Sequence, residues 1–368
     1  MQTKKSNLST DIQYWIAFSY INGIGPQKIK LIYNHFSSLK DAWQAPKEEY
    51  FKIGLNTKDI HALNEARNKL IPEKLYNDII KNKINIVTLK DNNYPLLLRE
   101  IYSPPPILYY KGKLPDNSNM SLGVVGTRKT SIYGRQASLD LVSILAKTGL
   151  IIVSGLALGI DTLAHQTTLK YGGITMAILG CGLDIIYPSS NYQLAKNIVF
   201  NGGCIISEYP PGTKPLKQHF PARNRIIAGI TKGVLVIEGG HKSGSLITAR
   251  FSLDYNREVM AIPGSIFNTN AEGTNHLLKN GAHLISNAED VLNVLDLQYI
   301  QKYKETQQAL PKNSEEKILY EIITKSPIHI DEIIQQCKLQ ISIINATLTI
   351  MEMKGLIKNL GGGNFIRN

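Results

Sequence analysis

Two cations stand where a nucleotide-binding turn would keep its residues small. In VVGTRKTSIYG, Val124 to Gly134, an apolar run ends at Gly126 and passes through Thr127, Arg128 and Lys129 into a helical pattern that starts near Ser131. A dinucleotide clasp of the G-x-G-x-x-G kind needs glycines so that backbone can close on a pyrophosphate. Here the free N–H groups of a helix start face the same space as Arg128, which describes a phosphate site with added charge. A second anion cradle follows in EGGHKSGSLITAR, where two glycines and Lys242 lead through Ser243, Gly244 and Ser245 into another helix. Between these turns, PPGTKPLKQHFPARNRIIAGI sets Lys217 and Phe220 beside a helix start, with Pro221 expected at its first position. A cation next to a ring suits a nucleotide, phosphate on the one and base on the other. Arg223 and Arg225 lie two apart on that helix and so point to different faces, one available to ligand and one to brace a neighbouring loop.

Other chemistries fit less well. In VSGLALGIDTLAH, Asp161 and His165 are four apart and share a helical face, a spacing that could serve a metal. No third ligand stands at a matching distance, so Asp161 is expected to interact with the helix dipole and His165 to be packed or capping. The glycines of that turn, Gly155 and Gly159, mark close backbone approach. Cys181, Cys204 and Cys337 lie far apart with no C-x-x-C spacing and read as buried structural thiols. No G-x-x-x-x-G-K-[ST] occurs, nor a G-x-S-x-G nucleophile elbow. Glu208, Glu238 and Glu272 are scattered through the turns, each as easily a cap or ion-pair partner as a general base. Phosphate cradles without an acid, base or metal describe a site that holds rather than cuts. No catalytic residue, metal or cofactor is therefore expected. Two rivals stay open: a hydrolase acting on a mononucleotide with Glu238 or Glu272 as base, and a sensor that binds one small nucleotide.

The elements that must position these turns are legible as alternation. The apolar runs SLGVVG, GLIIVSG, TMAILG, CIISEY, VLVIEGG and EVMAIPG, with HLIS as a further candidate, are separated by helical patterns starting near Ser131, Ile160, Asn191, Pro221 and Ser245. This is an α/β pattern, an extended Rossmann-like parallel sheet over residues 114–297, whose ligands bind beyond the carboxyl ends of the strands. Residues 1–113 read as a helical module followed by an extended linker segment in which Pro104, Pro105 and Pro106 forbid a helix. Its YINGIGPQKIKLIYNHF places Gly-Ile-Gly between two helical patterns, as in a helix-hairpin-helix or SAM-like module. After a polar linker, QYIQKYKETQQALPKN, residues 314–368 have the layout of a winged helix, three helices and a wing turning at Gly361 to Gly363. That tail carries six basic and six acidic residues and no cation between Gln340 and Met353, which favours protein contact or weak DNA contact over base reading.

Charge narrows the class of partner. An excess of 41 Lys and Arg over 29 Asp and Glu leaves +12, and residues 1–113 alone carry 17 basic against 10 acidic side chains. Nucleic acid leads as the anionic partner. No stretch approaches the roughly 18 apolar residues of a bilayer span, and MQTKKSNLST lacks the apolar core of a signal peptide, so a cytoplasmic protein without a membrane partner is expected.

Taken together, Gly126-Thr127-Arg128, Ser154-Gly155-Leu156-Ala157 with Gly159-Ile160-Asp161, Ile178-Leu179-Gly180-Cys181-Gly182 with Tyr187-Pro188, Phe220-Pro221-Ala222-Arg223-Asn224-Arg225-Ile226-Ile227, Ser243-Gly244-Ser245-Leu246-Ile247-Thr248-Ala249 and Ile262-Pro263-Gly264 resemble the DprA (Smf) family of DNA-processing proteins. The likeness spans roughly residues 85 to 295. It implies a Rossmann-like domain that binds single-stranded DNA without hydrolysing it, shelters it from nucleases, forms a homodimer through that domain and delivers the RecA recombinase during natural transformation. By position, Arg128 and Lys217 fall on the family's DNA-contacting cations and Phe220 on its stacking aromatic. The expected DNA-binding set is Gly126, Thr127, Arg128, Lys217, Phe220, Arg223, Asn224, Arg225, Lys242, Ser243, Gly244 and Ser245. Three positions depart from the family pattern: Gly239 where alanine is frequent, Lys242 where arginine is frequent, and Asn256 where a glycine commonly precedes the arginine. Asn tolerates positive φ, so the last change is mild.

Overall fold

The computed structural model describes residues 3–117, 120–297, 313–324, 326–337, 339–353 and 356–367. Six helices come first: α1 (Thr3–Ser19), α2 (Pro26–His35), α3 (Leu39–Gln44), α4 (Lys47–Lys52), α5 (Thr57–Lys69) and α6 (Pro72–Lys81). Prolines open α2 and α6, where a missing N–H costs nothing, and Asn56 with Asp59 forms a reciprocal cap on α5. The Gly-Ile-Gly turn lies between α1 and α2, as its glycines predict. Its nearest lysine, Lys28, is bonded to the buried Asp59 at 2.6 Å and to the Gly23 carbonyl at 2.9 Å.

A nine-stranded sheet follows. Its elements are β1 (Asn85–Thr88), α7 (Leu96–Arg99), β2 (Ile107–Gly112), β3 (Ser121–Val125), α8 (Ile132–Lys147), β4 (Ile151–Ser154), α9 (Ile160–Lys170), β5 (Thr175–Leu179), α10 (Tyr192–Phe200), β6 (Cys204–Ser207), α11 (His219–Ile230), β7 (Gly233–Val236), α12 (Gly244–Asp254), β8 (Glu258–Ala261), α13 (Glu272–Lys279), β9 (His283–Leu284) and α14 (Ala288–Val294). The strand order is β1-β2-β6-β5-β4-β3-β7-β8-β9. From β6 to β9 all neighbours are parallel, with helices on both faces, so β3 to β7 are buried along their whole length and read as unbroken apolar runs. The candidate HLIS strand is realised as β9, at the edge.

The segment expected to be a linker behaves differently. β1 and β2 join the sheet as an antiparallel extension, β2 pairing β6 with Tyr109 opposite Ser207. Their alternation was hidden because Leu108 and Tyr109 are both apolar while facing opposite sides of the sheet, each against a separate core. The helical module packs on the Tyr109 side, where Trp15, Phe18 and Ile32 share a core with Leu179 and Ile205. Ser19 and Tyr109 hydroxyls meet at 2.7 Å, and Tyr20 donates to the Pro211 carbonyl at 3.2 Å. Residues 1–295 accordingly form one compact unit, and the boundary expected at residue 113 falls inside it.

The second unit contains α15 (Ser314–Ile322), β10 (Ile328–His329), α16 (Ile330–Gln336), α17 (Ile341–Met353), β11 (Ile357–Gly361) and β12 (Asn364–Arg367). It has its own core of Leu319, Ile333, Ile344, Leu348, Met351 and Phe365. Gly361, Gly362 and Gly363 turn the wing with positive φ, a conformation that favours glycine. The polar linker expected over residues 298–313 lies, except for its last residue, outside the described residues. Among the described residues no helix is long and apolar enough to cross a membrane.

Candidate nucleic-acid interface

Strand β3 is bonded to β4 on one side and to β7 on the other, and the chain that runs outward through β4, β5 and β6 returns to start again at β7. At such a switch point the turns diverge and leave a crevice beyond the carboxyl ends. A cleft of about 970 Å³ lies there, walled by the turns after β3 and β7 and by the start of α11. All but one of the residues expected to bind DNA line it; Arg225 does not.

The first wall is fixed by backbone. Gly126 ends β3 where a Cβ would come within 2.6 Å of Ile160 and 2.8 Å of the Glu238 carbonyl, so only glycine lets α9 close on the strand. The Thr127 N–H donates to the Glu238 carbonyl at 2.7 Å, and its own carbonyl accepts from Ile160 at 3.2 Å. The Lys129 N–H donates to the Thr127 hydroxyl at 3.2 Å. Thr127 is therefore committed to the turn, and Arg128 is left exposed at its crest. Its guanidinium stands 5.6 Å from the centre of the Phe220 ring, which also packs against Tyr187 at 5.6 Å between centroids. A cation over a ring face is attracted by the ring's quadrupole.

The helix that carries Phe220 starts two residues earlier than expected, at His219. Pro221 is thus its third residue, still inside the first turn where no N–H is required. Lys217 lies just before that helix and is exposed, as is Lys242 on the opposite wall. Among the described residues neither lysine nor Arg128 has a hydrogen bond or ion pair. The Lys242 wall is held by seryl pairing. Ser243 caps α12, its Oγ 2.8 Å from that of Ser245 and accepting the Ser245 N–H at 3.4 Å, while Asn224 donates to the Gly244 carbonyl at 3.2 Å. A Cβ at Gly239 would sit 2.7 Å from the Ser245 hydroxyl, so glycine suits this position beneath the seryl pair. The other departure, Asn256, has φ 55°, the left-handed backbone that asparagine tolerates.

Arg223 and Arg225 correct the sequence-based set. Arg223 is 4% exposed, and its Nη1 donates to the carbonyls of Gly155 and Ile178, tying the carboxyl ends of β4 and β5 together. It reaches the cleft wall but turns its donors inward, because two strand-end carbonyls there need partners. Burial lowers its pKa, with Asp161 opposing the shift. Arg225 is paired with the buried Glu208 and donates to the Ser103 carbonyl at 2.8 Å, away from the cleft. Their separation to different faces was legible; that both would be used as braces was not.

The carboxylates are likewise occupied by structure. Glu238 is buried, accepting from the Ser131 N–H at 3.0 Å and from the Ser131 hydroxyl, directly under Gly134. It supports the cap of α8 and does not face the cleft. Glu208 is held above its usual range by burial, with Arg225 opposing. Asp161 is raised by burial too; it accepts the N–H groups of Gly155 at 3.1 Å and Ala157 at 3.3 Å and so shapes the second turn. Glu272 stands exposed on the cleft rim at the start of α13. His165 is wholly buried, 2.7 Å from the Thr175 hydroxyl, and burial lowers its pKa to about 3, so it is a neutral packed residue. Among the described residues no three His, Cys, Asp or Glu side chains converge on a metal-sized space. Tyr187, Thr269 and Asn270 also line the cleft; only Tyr187 had a signal, its place in the quoted Tyr187-Pro188 pair, and the others come from a loop with no recognisable pattern.

Fold and cleft first define a class: a doubly wound Rossmann-like domain with its ligand space at the switch point, a helical module before it and a winged helix after it. Residues 85–296 match the family model of DNA recombination-mediator protein A, and residues 304–363 that of the DprA winged helix domain. Protein Smf of Synechocystis is 41% identical over 76% of this chain and 71% of its own, and the DNA processing protein DprA of Streptococcus pneumoniae is 45% identical over 56% and 72%. The solved structure of the Streptococcus pneumoniae protein superposes with a TM-score of 0.67 at 36% identity, covering 76% of this chain and 97% of that one. DNA processing protein A from Helicobacter pylori, a single-stranded DNA binder, superposes at 0.52 with 32% identity, covering 58% and 95%. The chain belongs to the DprA (Smf) family.

Proposed function

We propose that this protein is a DNA-processing protein that binds single-stranded DNA in the switch-point cleft and holds it chemically unchanged. Arg128, Lys217 and Lys242 contact successive phosphates, Phe220 stacks a base, and the backbone of Gly126, Thr127, Ser243 and Gly244 lets the strand approach closely. Asn224 and Ser245 hold the second wall in place. The observation that carries this reading is that three exposed cations, free of ion pairs among the described residues, line one cleft with a half-buried ring, Arg128 standing over that ring. Cations spread along the carboxyl ends of the strands serve a chain of phosphates better than one pyrophosphate. The relative from Helicobacter pylori, whose structure concerns its single-stranded DNA binding mode, supports the choice of ligand. On the family resemblance, the proposal extends to a cytoplasmic homodimer formed through the Rossmann-like domain that loads RecA on incoming strands during natural transformation. The winged helix serves protein contact.

A gel-shift comparison of single-stranded and duplex DNA across salt tests it. Affinity for the single strand is expected to exceed that for duplex and to fall by about 0.7 log unit per log unit of salt for each phosphate neutralised. Incubation with a panel of mononucleotides is expected to release neither base nor phosphate; turnover there would replace the proposal with the hydrolase.

A further inference from the structure

Beyond the cleft, an exposed apolar ledge adjoins its first wall. Ile132 and Tyr133, the first two residues of α8, are 90% and 50% exposed, and Ile266 and Phe267, at the tip of the loop after β8, are 81% and 92% exposed. The two segments are fastened to each other at both ends of that loop. Tyr133 donates its hydroxyl to the Pro263 carbonyl at 2.8 Å, and Asn270 donates to the Lys129 carbonyl at 3.1 Å. The loop tip is itself a closed turn, the Asn268 N–H bonded to the Ser265 carbonyl at 3.0 Å and the Phe267 N–H to the Ser265 hydroxyl at 3.3 Å. Thr269 and Asn270, just past the tip, line the cleft, so ledge and cleft are continuous. Lys129 and Arg135 are exposed on the same segment.

Aromatic and aliphatic side chains held out on a fixed frame are costly in water unless something covers them. Flanking cations and continuity with the cation-lined cleft select the occupant. We propose that Tyr133 and Phe267 form a second stacking platform for the bases of a single strand leaving the cleft, with Lys129 on its phosphates. This rests on the cleft being the strand's site, and it assigns a further set of contacts outside that site.

Oligothymidylates of about six and about twenty nucleotides, the first within and the second beyond the roughly 4–16 nucleotides that one single-strand-binding module covers, are titrated against the full chain and its variants by fluorescence anisotropy. Phe267→Ala is expected to weaken the long oligomer about tenfold, the order of one base stack, and to leave the short one unchanged. Phe267→Trp is expected to restore the long-oligomer affinity. Arg128→Ala is expected to weaken both lengths. If Phe267→Ala binds the long oligomer as the parent does while Arg128→Ala weakens both, the platform is wrong and the cleft stands. If Arg128→Ala alters neither, the cleft itself is wrong and the platform falls with it. In parallel, a long oligomer carrying 5-iododeoxyuridine is expected to photocrosslink to Tyr133 or Phe267; crosslinks confined to the cleft would overturn the proposal.

Discussion

At the scale of single residues, the cations expected at the cleft stand in two different settings. Arg128 and Lys217 are exposed and without ion-pair partners among the described residues, so removing either takes charge from the surface and nothing from the core. Arg128→Ala or Lys217→Ala is expected to weaken single-strand binding and flatten the salt slope by about 0.7 for each phosphate no longer neutralised, with the melting temperature unchanged. Arg223 and Arg225 are buried among carbonyls and Glu208. Arg225→Ala strands the Glu208 carboxylate in an apolar setting and is expected to destabilise folding by about 3–5 kcal/mol, read from urea unfolding. A variant that binds less but unfolds like the parent at position 225, or the reverse at 128, would exchange the two roles.

At the scale of elements, the site depends on how tightly α8 and α9 close over β3. Gly126→Ala places a methyl group against Ile160 and the Glu238 carbonyl, and overpacking there is expected to cost about 1–3 kcal/mol. Because that shift moves the Arg128 turn, single-strand affinity should fall along with stability, unlike in Arg128→Ala. Helix α9 also carries the buried His165. Its folded pKa of about 3 lies below the unfolded 6.5, so the unfolded chain takes up a proton that the folded one refuses. The stabilisation is whole above about pH 6.5 and is lost as pH falls toward 3, at about 1.4 kcal/mol per pH unit. Urea unfolding of the parent and of His165→Gln across that window checks it: the variant's stability should fall less steeply toward acid, and equal slopes would mean that another group carries the dependence.

At the scale of the molecule, two cores imply two folding units. Leu319, Ile333, Leu348 and Phe365 belong to a cluster closed within the winged helix, while the helical module shares its core with the sheet. A chain ended after residue 297 is expected to keep the single-strand affinity and salt slope of the whole. By calorimetry it should lose one of two transitions, the one belonging to residues 296–368. Loss of binding on that truncation would move part of the DNA site to the winged helix.

Several levels of this protein are written directly in its sequence. Continuous apolar runs ending in glycine set the parallel strands, because strands covered on both faces need no polar residues, and caps such as Ser131 and Ser243 set the helix starts to within two residues. The turns that line the cleft were legible as well, in glycines, serines and cations set beside helix starts. Tertiary structure alone decided which cations face water. Arg223 and Arg225 look as available as Arg128 until the unpaired strand-end carbonyls and the buried Glu208 are brought beside them. It also decided that residues 85–88 and 107–112 join the sheet and that the loop after β8 is fastened to Tyr133 at Pro263. Those are facts about partners distant in the chain, and local propensity carries no information about a hydrogen bond that closes only when the fold does.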